Sequence, residues 1–306
     1  MMQIPAMSFI SFHTGEFSAL ATAIFWTVTA LAFEAASKRV GSLAVNLFRL
    51  IFAFVILCLV NFFLRGMAFP LDASGHTWFW MILSGLVGFV IGDLMLFESY
   101  TIISARVAML VMTLVPPITA LVGWIILGEV MTLMNFLGMV LTLAGIGLAI
   151  FGKAGRDDKI RVRHPMKGLL LAFGGAAGQA VGLVLSKYGM GSYNAFSANQ
   201  IRVLAGAIGF ALVIPAMKRW YRVTQAVHDK KGMLLIALGS VFGPFLGVSF
   251  SLLAVQYTST GIASTIMAIV PVFIILPSVL IFREKVTWKE VLGAFVSVGG
   301  VVLFFI

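Results

Sequence analysis

GDLMLFESYTIISARVAMLVMTLVPPITALVGWIILGE, from Gly92 to Glu129, has a second copy 155 residues later in GVSFSLLAVQYTSTGIASTIMAIVPVFIILPSVLIFRE, from Gly247 to Glu284. Adding 155 carries Gly92 to Gly247, Ser104 to Ser259, Ala108 to Ala263, Pro116 to Pro271 and Glu129 to Glu284. The offset extends outward on both sides, taking Gly88 to Gly243, Thr132 to Thr287, Gly138 to Gly293 and Gly145 to Gly300. Nearer the start of each copy an offset of 153 aligns Asn46 with Asn199 and Arg49 with Arg202. Apolar composition alone matches Leu with Leu. It does not match Pro, Glu, Asn and Arg in order, so the chain is an internal duplication.

The composition decides the solvent. The 306 residues are 61% hydrophobic and 10% charged, with a mean hydropathy of +1.08. A soluble domain carries about 25% charged residues, and so few charges leave too much apolar surface for water. In a bilayer every backbone polar group must be paired internally, so only helices or a closed barrel can span. The apolar stretches lack the alternation of barrel strands. The expected class is therefore an all-α integral membrane protein.

At about 20 residues per span, ten helices are expected. The first half reads Phe17–Ala36, Ala44–Leu64, Thr77–Phe97, Val107–Leu127 and Leu133–Gly152. The second reads Met166–Ser186, Ala198–Ala216, Met233–Val255, Ile262–Phe282 and Val286–Ile306. Residues 1–152 and 166–306 form the two repeats, and 153–165 is a polar linker. Five is odd, so the second half enters the membrane from the opposite side. Inverted repeats place a substrate site between the halves near the midplane.

The net charge of +10 does not indicate nucleic acid, because the basic residues sit in short loops. Seventeen Lys and Arg fall on the side of the 153–165 linker, against Arg65 and Lys187 on the other. The positive-inside rule then puts the linker in the cytoplasm and both termini outside. Cys58 is alone, which excludes an internal disulfide.

The Gly92–Glu129 segment resembles the third and fourth helices of an EamA domain, with Gly247–Glu284 as its weaker copy. Each is followed by a Gly-rich helix. Over nearly its whole length the chain resembles the drug/metabolite transporter superfamily in its ten-helix form with two EamA domains. The resemblance implies a secondary transporter moving a small organic metabolite, amino acid-like or a related solute, across the inner or plasma membrane by alternating access. It implies no cofactor and no enzymatic activity, and it puts the fifth and tenth helices at the periphery, with their Gly138/Gly145 and Gly293/Gly300 faces each packed on its own half. Partners are the substrate, membrane lipids and, where transport is coupled, protons. Members commonly keep both termini in the cytoplasm, which the charge count here opposes.

Several residues are candidates for chemistry. Asn46/Arg49 and Asn199/Arg202 are i,i+3 pairs on one helical face, suited to a carboxylate, to bonding a neighbouring helix or to snorkelling. Trp26, Gln179 and Tyr257 are further candidate substrate contacts, with packing as the alternative. Asp93 and Glu34 are candidate proton carriers. Glu34 has Lys38 one turn on; Asp93 lacks a local partner, and Arg49, near the same membrane face, is the plausible one. Pro116, Pro117 and Pro271 are candidate hinges inside the fourth and ninth helices. A channel or lipid scramblase is the alternative function. An intramembrane enzyme lacks support: there is no His-Glu-x-x-His, and Val90 stands where a Gly-x-Gly-Asp protease pattern needs glycine.

Overall fold

The computed structural model describes residues 13–102, 111–154, 166–270, 272–274, 277 and 287–305, the side chains of Glu34, Phe97, Tyr100, Thr101 and residues 150–154 excepted. The elements in chain order are α1 (Thr14–Val40), α2 (Ser42–Arg65), α3 (Gly75–Gly85), α4 (Asp93–Ile102), α5 (Val115–Leu127), α6 (Leu133–Ala154) and α7 (Met166–Met190). They continue with α8 (Ala195–Ala216), α9 (Trp220–Ala226), α10 (Lys230–Ser240), α11 (Val248–Tyr257), α12 (Thr260–Met267) and α13 (Trp288–Val302). Two π-helical stretches, π1 (Leu86–Gly92) and π2 (Val241–Gly247), make α3 continuous with α4 and α10 with α11. No strand occurs among the described residues.

Among the described residues, seven helices are long and apolar enough to cross a membrane: Thr14–Val40, Ser42–Arg65, Gly75–Leu96, Met166–Met190, Ala195–Ala216, Lys230–Tyr257 and Trp288–Phe305. Val115–Leu127, Leu133–Ala149 and Thr260–Ile274 are shorter apolar helices. Phe63, Leu64, Leu212 and Phe295 stand exposed on these helices, as side chains facing lipid do. Helix ends follow local chemistry. Gly66 closes α2 at φ 72°, a left-handed turn that costs glycine little. Thr287 and Glu290 form a reciprocal capping box that starts α13.

The two halves are interleaved. In the first interface, α7 lies on α3 and π1 with glycine against glycine: a Cβ on Gly182 would sit 3.0 Å from the Gly88 Cα, and one on Gly178 2.8 Å from the Gly92 Cα. The Ser84 hydroxyl donates to the Gly182 carbonyl at 2.6 Å. Correspondingly, α1 lies on α10 and π2, where the Thr22 hydroxyl donates to the Gly247 carbonyl at 3.3 Å and Thr29 to Gly239 at 3.4 Å. Close backbone approach through small residues replaces the hydrophobic driving force that is missing in lipid.

Three features differ from expectation. The Gly-rich faces of α6 and α13 pack on each other, not each on its own half. A Cβ on Gly138 would meet the Gly300 carbonyl, and one on Gly145 would meet the Gly293 carbonyl, so the helices run antiparallel. Thr142 donates to the Ser297 carbonyl at 3.4 Å and Ser297 donates back to the Thr142 carbonyl at 3.2 Å. Secondly, Pro116 and Pro117 occupy the first positions of α5, after a turn at Thr113–Leu114. Neither has an N–H to continue a preceding ladder, and at a helix start none is needed. They stand in the first turn of α5, directly after the turn that separates it from the helical residues 111–112. The repeat-related turn at Ala268–Ile269 lies 155 residues on; Pro271 lies outside the described residues. Thirdly, α9 was not anticipated. It buries Val223 and Ala226 and exposes Trp220 and Tyr221, the amphipathic form of an interfacial helix.

Candidate functional site

The sequence places Asn46 and Arg49 one turn apart on α2, and Asn199 and Arg202 likewise on α8. These two helices pack together, and π1 lies against α8. A π-helical turn bonds i to i+5, which widens the backbone and re-aims side chains, and such turns recur at functional sites. The two π stretches are related by the 155-residue offset, Leu86 to Val241 and Gly92 to Gly247. Asp93, the residue after π1, is only 4% exposed.

Both Asp93 oxygens are engaged. Oδ2 accepts from Nη2 of Arg49 in an ion pair, and Oδ1 accepts from the Gln179 amide at 2.7 Å. The pairing with Arg49 anticipated from sequence is therefore present, and Gln179, one candidate substrate contact among several, joins it from α7 in the second half. The Arg49 guanidinium carbon lies 5.8 Å from the Phe33 ring centre and 6.0 Å from that of Phe89. Arg202, 3% exposed, lies 4.7 Å over the other aromatic neighbour of this group, the Phe89 ring. Phe89 thus joins the two arginines. Its only sequence signal is its place between Gly88 and Gly92, opposite Pro244 in the second repeat.

The two arginines are not equivalent. Among the described residues no carboxylate lies within ion-pair distance of Arg202, and its Nε has no acceptor. The Arg49 Nε is also unpartnered. Asn199 donates to the Pro244 carbonyl at 2.8 Å and to the Ser249 hydroxyl at 2.9 Å, tying α8 to π2. Asn46 and Asn199 each keep a buried, unbonded Oδ1. The remaining candidates fall elsewhere. Trp26 packs its indole N–H edge against Gly247 of π2. Tyr257 is 64% exposed, on a cleft of about 620 Å³ with Asn194, Phe196 and Gln256. The Glu34 side chain and Pro271 lie outside the described residues.

The two ends of the molecule are held differently. At the end carrying Arg65 and Lys187, Lys187 donates to Glu129 at 2.6 Å and to the Thr258 carbonyl at 2.7 Å. Glu129 also accepts from the Thr260 N–H at 2.8 Å and from its hydroxyl at 2.6 Å, joining α5 of the first half to α12 of the second. Nearby, Tyr193 donates to Asp72 at 2.8 Å, and Arg65 pairs with Asp72. The Tyr193 hydroxyl, then Arg65, hold the Asp72 carboxyl below the ordinary carboxylate range, while burial pushes Tyr193 up. At the opposite end the exposed Arg39–Asp229 pair, 2.9 Å, ties α1 to α10 beside an open cleft of about 280 Å³.

Residues 13–151 and 166–306 each match the model of the EamA-like transporter family. A protein of Archaeoglobus fulgidus named as an uncharacterized transporter is 33% identical over 69 residues, 22% of this chain and 25% of that one. Bacillus subtilis YcxC, also named an uncharacterized transporter, is 28% identical over 96 residues, 31% of this chain and 30% of its own. The chain thus matches less than a third of the length of these relatives. A solved structure described only as the crystal structure of a protein superposes with a TM-score of 0.72 over 95% of this chain and 96% of that one, at 18% identity, which establishes a shared fold.

Proposed function

The chain belongs to the EamA-like transporter family, and we propose that it is a secondary transporter carrying a small organic metabolite across the inner or plasma membrane by alternating access. The observation that carries this reading is the group formed by buried Asp93 and Arg202 with partly buried Arg49 and Gln179, assembled where the two repeats meet. Ionisable side chains inside a membrane protein are costly, and they mark substrate and ion pathways. In this reading the three shorter apolar helices also cross, giving ten spans in two inverted repeats, 1–152 and 166–306. The reciprocal Thr142–Ser297 bonds support a twofold axis in the membrane plane.

Alternating access needs the two ends to open in turn. The Glu129–Lys187–Thr260 contacts latch one end across the repeats. By the charge count that end faces outward, with the 153–165 linker in the cytoplasm. A cysteine at Asp157 should react with impermeant maleimide only after the cytoplasmic face is opened; labelling in intact cells would overturn this orientation. Asp93 acts as counter-ion to Arg49 here. Proton coupling through it requires a second state in which that pair separates.

Counterflow into proteoliposomes tests the transporter reading. Saturable exchange without conductance is expected. A steady conductance identifies a channel, and lipid transbilayer movement without solute exchange identifies a scramblase.

A further inference from the structure

We infer that Arg202 receives a carboxylate of the transported molecule, so that the site takes organic monocarboxylates and rejects organic cations. The inference rests on reading the buried cluster as the transport site, and it adds the substrate class.

The charge inventory comes first. Among the described residues the cluster holds two guanidinium groups, Arg49 and Arg202, and one carboxylate, Asp93. Guanidinium stays charged under all physiological conditions, so the cluster carries one net positive charge. Asp93 is committed to Arg49 and Gln179 through both its oxygens. The positive charge left over therefore resides on Arg202, which is 97% buried and has an Nε with no acceptor.

Geometry then selects the ligand. The Phe89 ring 4.7 Å away supports the guanidinium by a cation–π contact, which satisfies its face but none of its N–H donors. Those donors lie in the guanidinium plane as a rigid fork, the shape that carboxylate oxygens match. Gly88 keeps the approach clear, since a Cβ there would lie 2.8 Å from the Arg202 Nη2. Arg49 shows how the same group is completed when a carboxylate is available. The residue related to Asp93 by the repeat is Val248, so the protein supplies no second carboxylate at that position. One monoanionic group on a solute balances the cluster. A cation adds a third positive charge to a low-dielectric site, where like charges repel strongly.

The experiment is thermal unfolding of the purified full chain in nanodiscs, in a buffer free of carboxylates. The probes are monocarboxylates from acetate to indole-3-acetate, the matching primary amides and amines, and sodium chloride. At least one carboxylate should raise the melting temperature saturably, while its amide and amine do not. Arg202→Gln should weaken that half-saturation at least about tenfold, with Arg202→Lys between the two. Equal response to the amide or amine, response to chloride only, or no response to any carboxylate overturns the inference. A folded Arg202→Gln protein with unchanged half-saturation does the same. Counterflow is read separately. Flux of cations or neutral solutes alone leaves the transporter reading standing and removes this one, whereas carboxylate binding without any flux removes the transporter reading and leaves Arg202 only as a carboxylate-binding site.

Discussion

The two halves share a scaffold and differ in charge. The π stretches begin and end at repeat-related residues, the α6 and α13 glycines face one another reciprocally, and an Asn-x-x-Arg pair enters the centre from each half. Yet the first half supplies Asp93 to its arginine, while the second has Val248 at the matching position. In the same way Asn199 is spent on the π2 backbone, holding α8 to π2. Backbone packing preserves the duplication, because a bulkier residue at a helix crossing has nowhere to go. The polar centre has diverged, because a single ligand between two halves is itself asymmetric.

The comparison breaks most visibly at Asp93. Asp93→Asn leaves Arg49 buried without its counter-ion, and losing one partner of a buried pair costs about 3–5 kcal/mol. A large fall in yield and melting temperature is expected, recovered by adding Arg49→Met but without recovery of transport. An unchanged melting temperature in the single variant would mean that the pair contributes little. Unchanged pH-driven uptake by a well-expressed Asp93→Asn protein would also remove the coupling role.

Val248→Asp tests the asymmetry from the other side by making the second half resemble the first. With a protein carboxylate for Arg202, solute affinity should drop about 10–100-fold, the effect of losing a charged hydrogen bond of about 1.5–3 kcal/mol. Stability should hold. Counterflow half-saturation unaffected by this change would show that Arg202 does not need an external anion.

Packing, by contrast, should be symmetric. A Cβ on Gly145 collides with Ser297, and one on its repeat partner Gly300 collides with Thr142. Gly145→Ala and Gly300→Ala should each destabilise by about 1–3 kcal/mol, the range for overpacking, and by similar amounts. Gly147, with open space around it, is the control, and Gly147→Ala should be neutral or slightly stabilising. Unequal losses at 145 and 300 would show that the twofold is only approximate at this crossing.

The smallest effect belongs to the Arg39–Asp229 pair. Asp229→Asn keeps an acceptor for the Gly232 N–H and removes the charge. Hydrogen bonds from Arg39, then the Gly232 N–H, lower the Asp229 carboxyl below its ordinary 3.8. Its contribution is therefore present above that value and lost as pH falls through the lower folded one. The difference between wild type and variant should be slight at neutral pH, shrink with added salt and vanish on acidification. A difference that grows in acid would contradict this sign.

Much of this was legible in the chain. The duplication relates Gly88 to Gly243 and Gly92 to Gly247, but it does not give the π geometry, which depends on how a helix is squeezed by its neighbours. Asp93 was matched to Arg49 because both lie toward one membrane face. Gln179 carries no sign of its partner in the sequence, and Phe89, an apolar residue in an apolar run, carries no local signal. Continuous hydrophobicity hides the turn at Thr113–Leu114 that puts Pro116 and Pro117 in the first turn of α5.

The sequence by itself determined the helical membrane class, the duplication and the family resemblance, since composition, span length and ordered Gly, Pro, Glu and Arg positions are properties of the chain read along its length. Tertiary structure alone decided that Gln179 joins the Arg49–Asp93 pair and that the Phe89 ring lies against Arg202. Both arginines sit in the same local motif. Their surroundings are contacts between helices distant in sequence, and the strength of a charge pair depends on distance and burial in three dimensions.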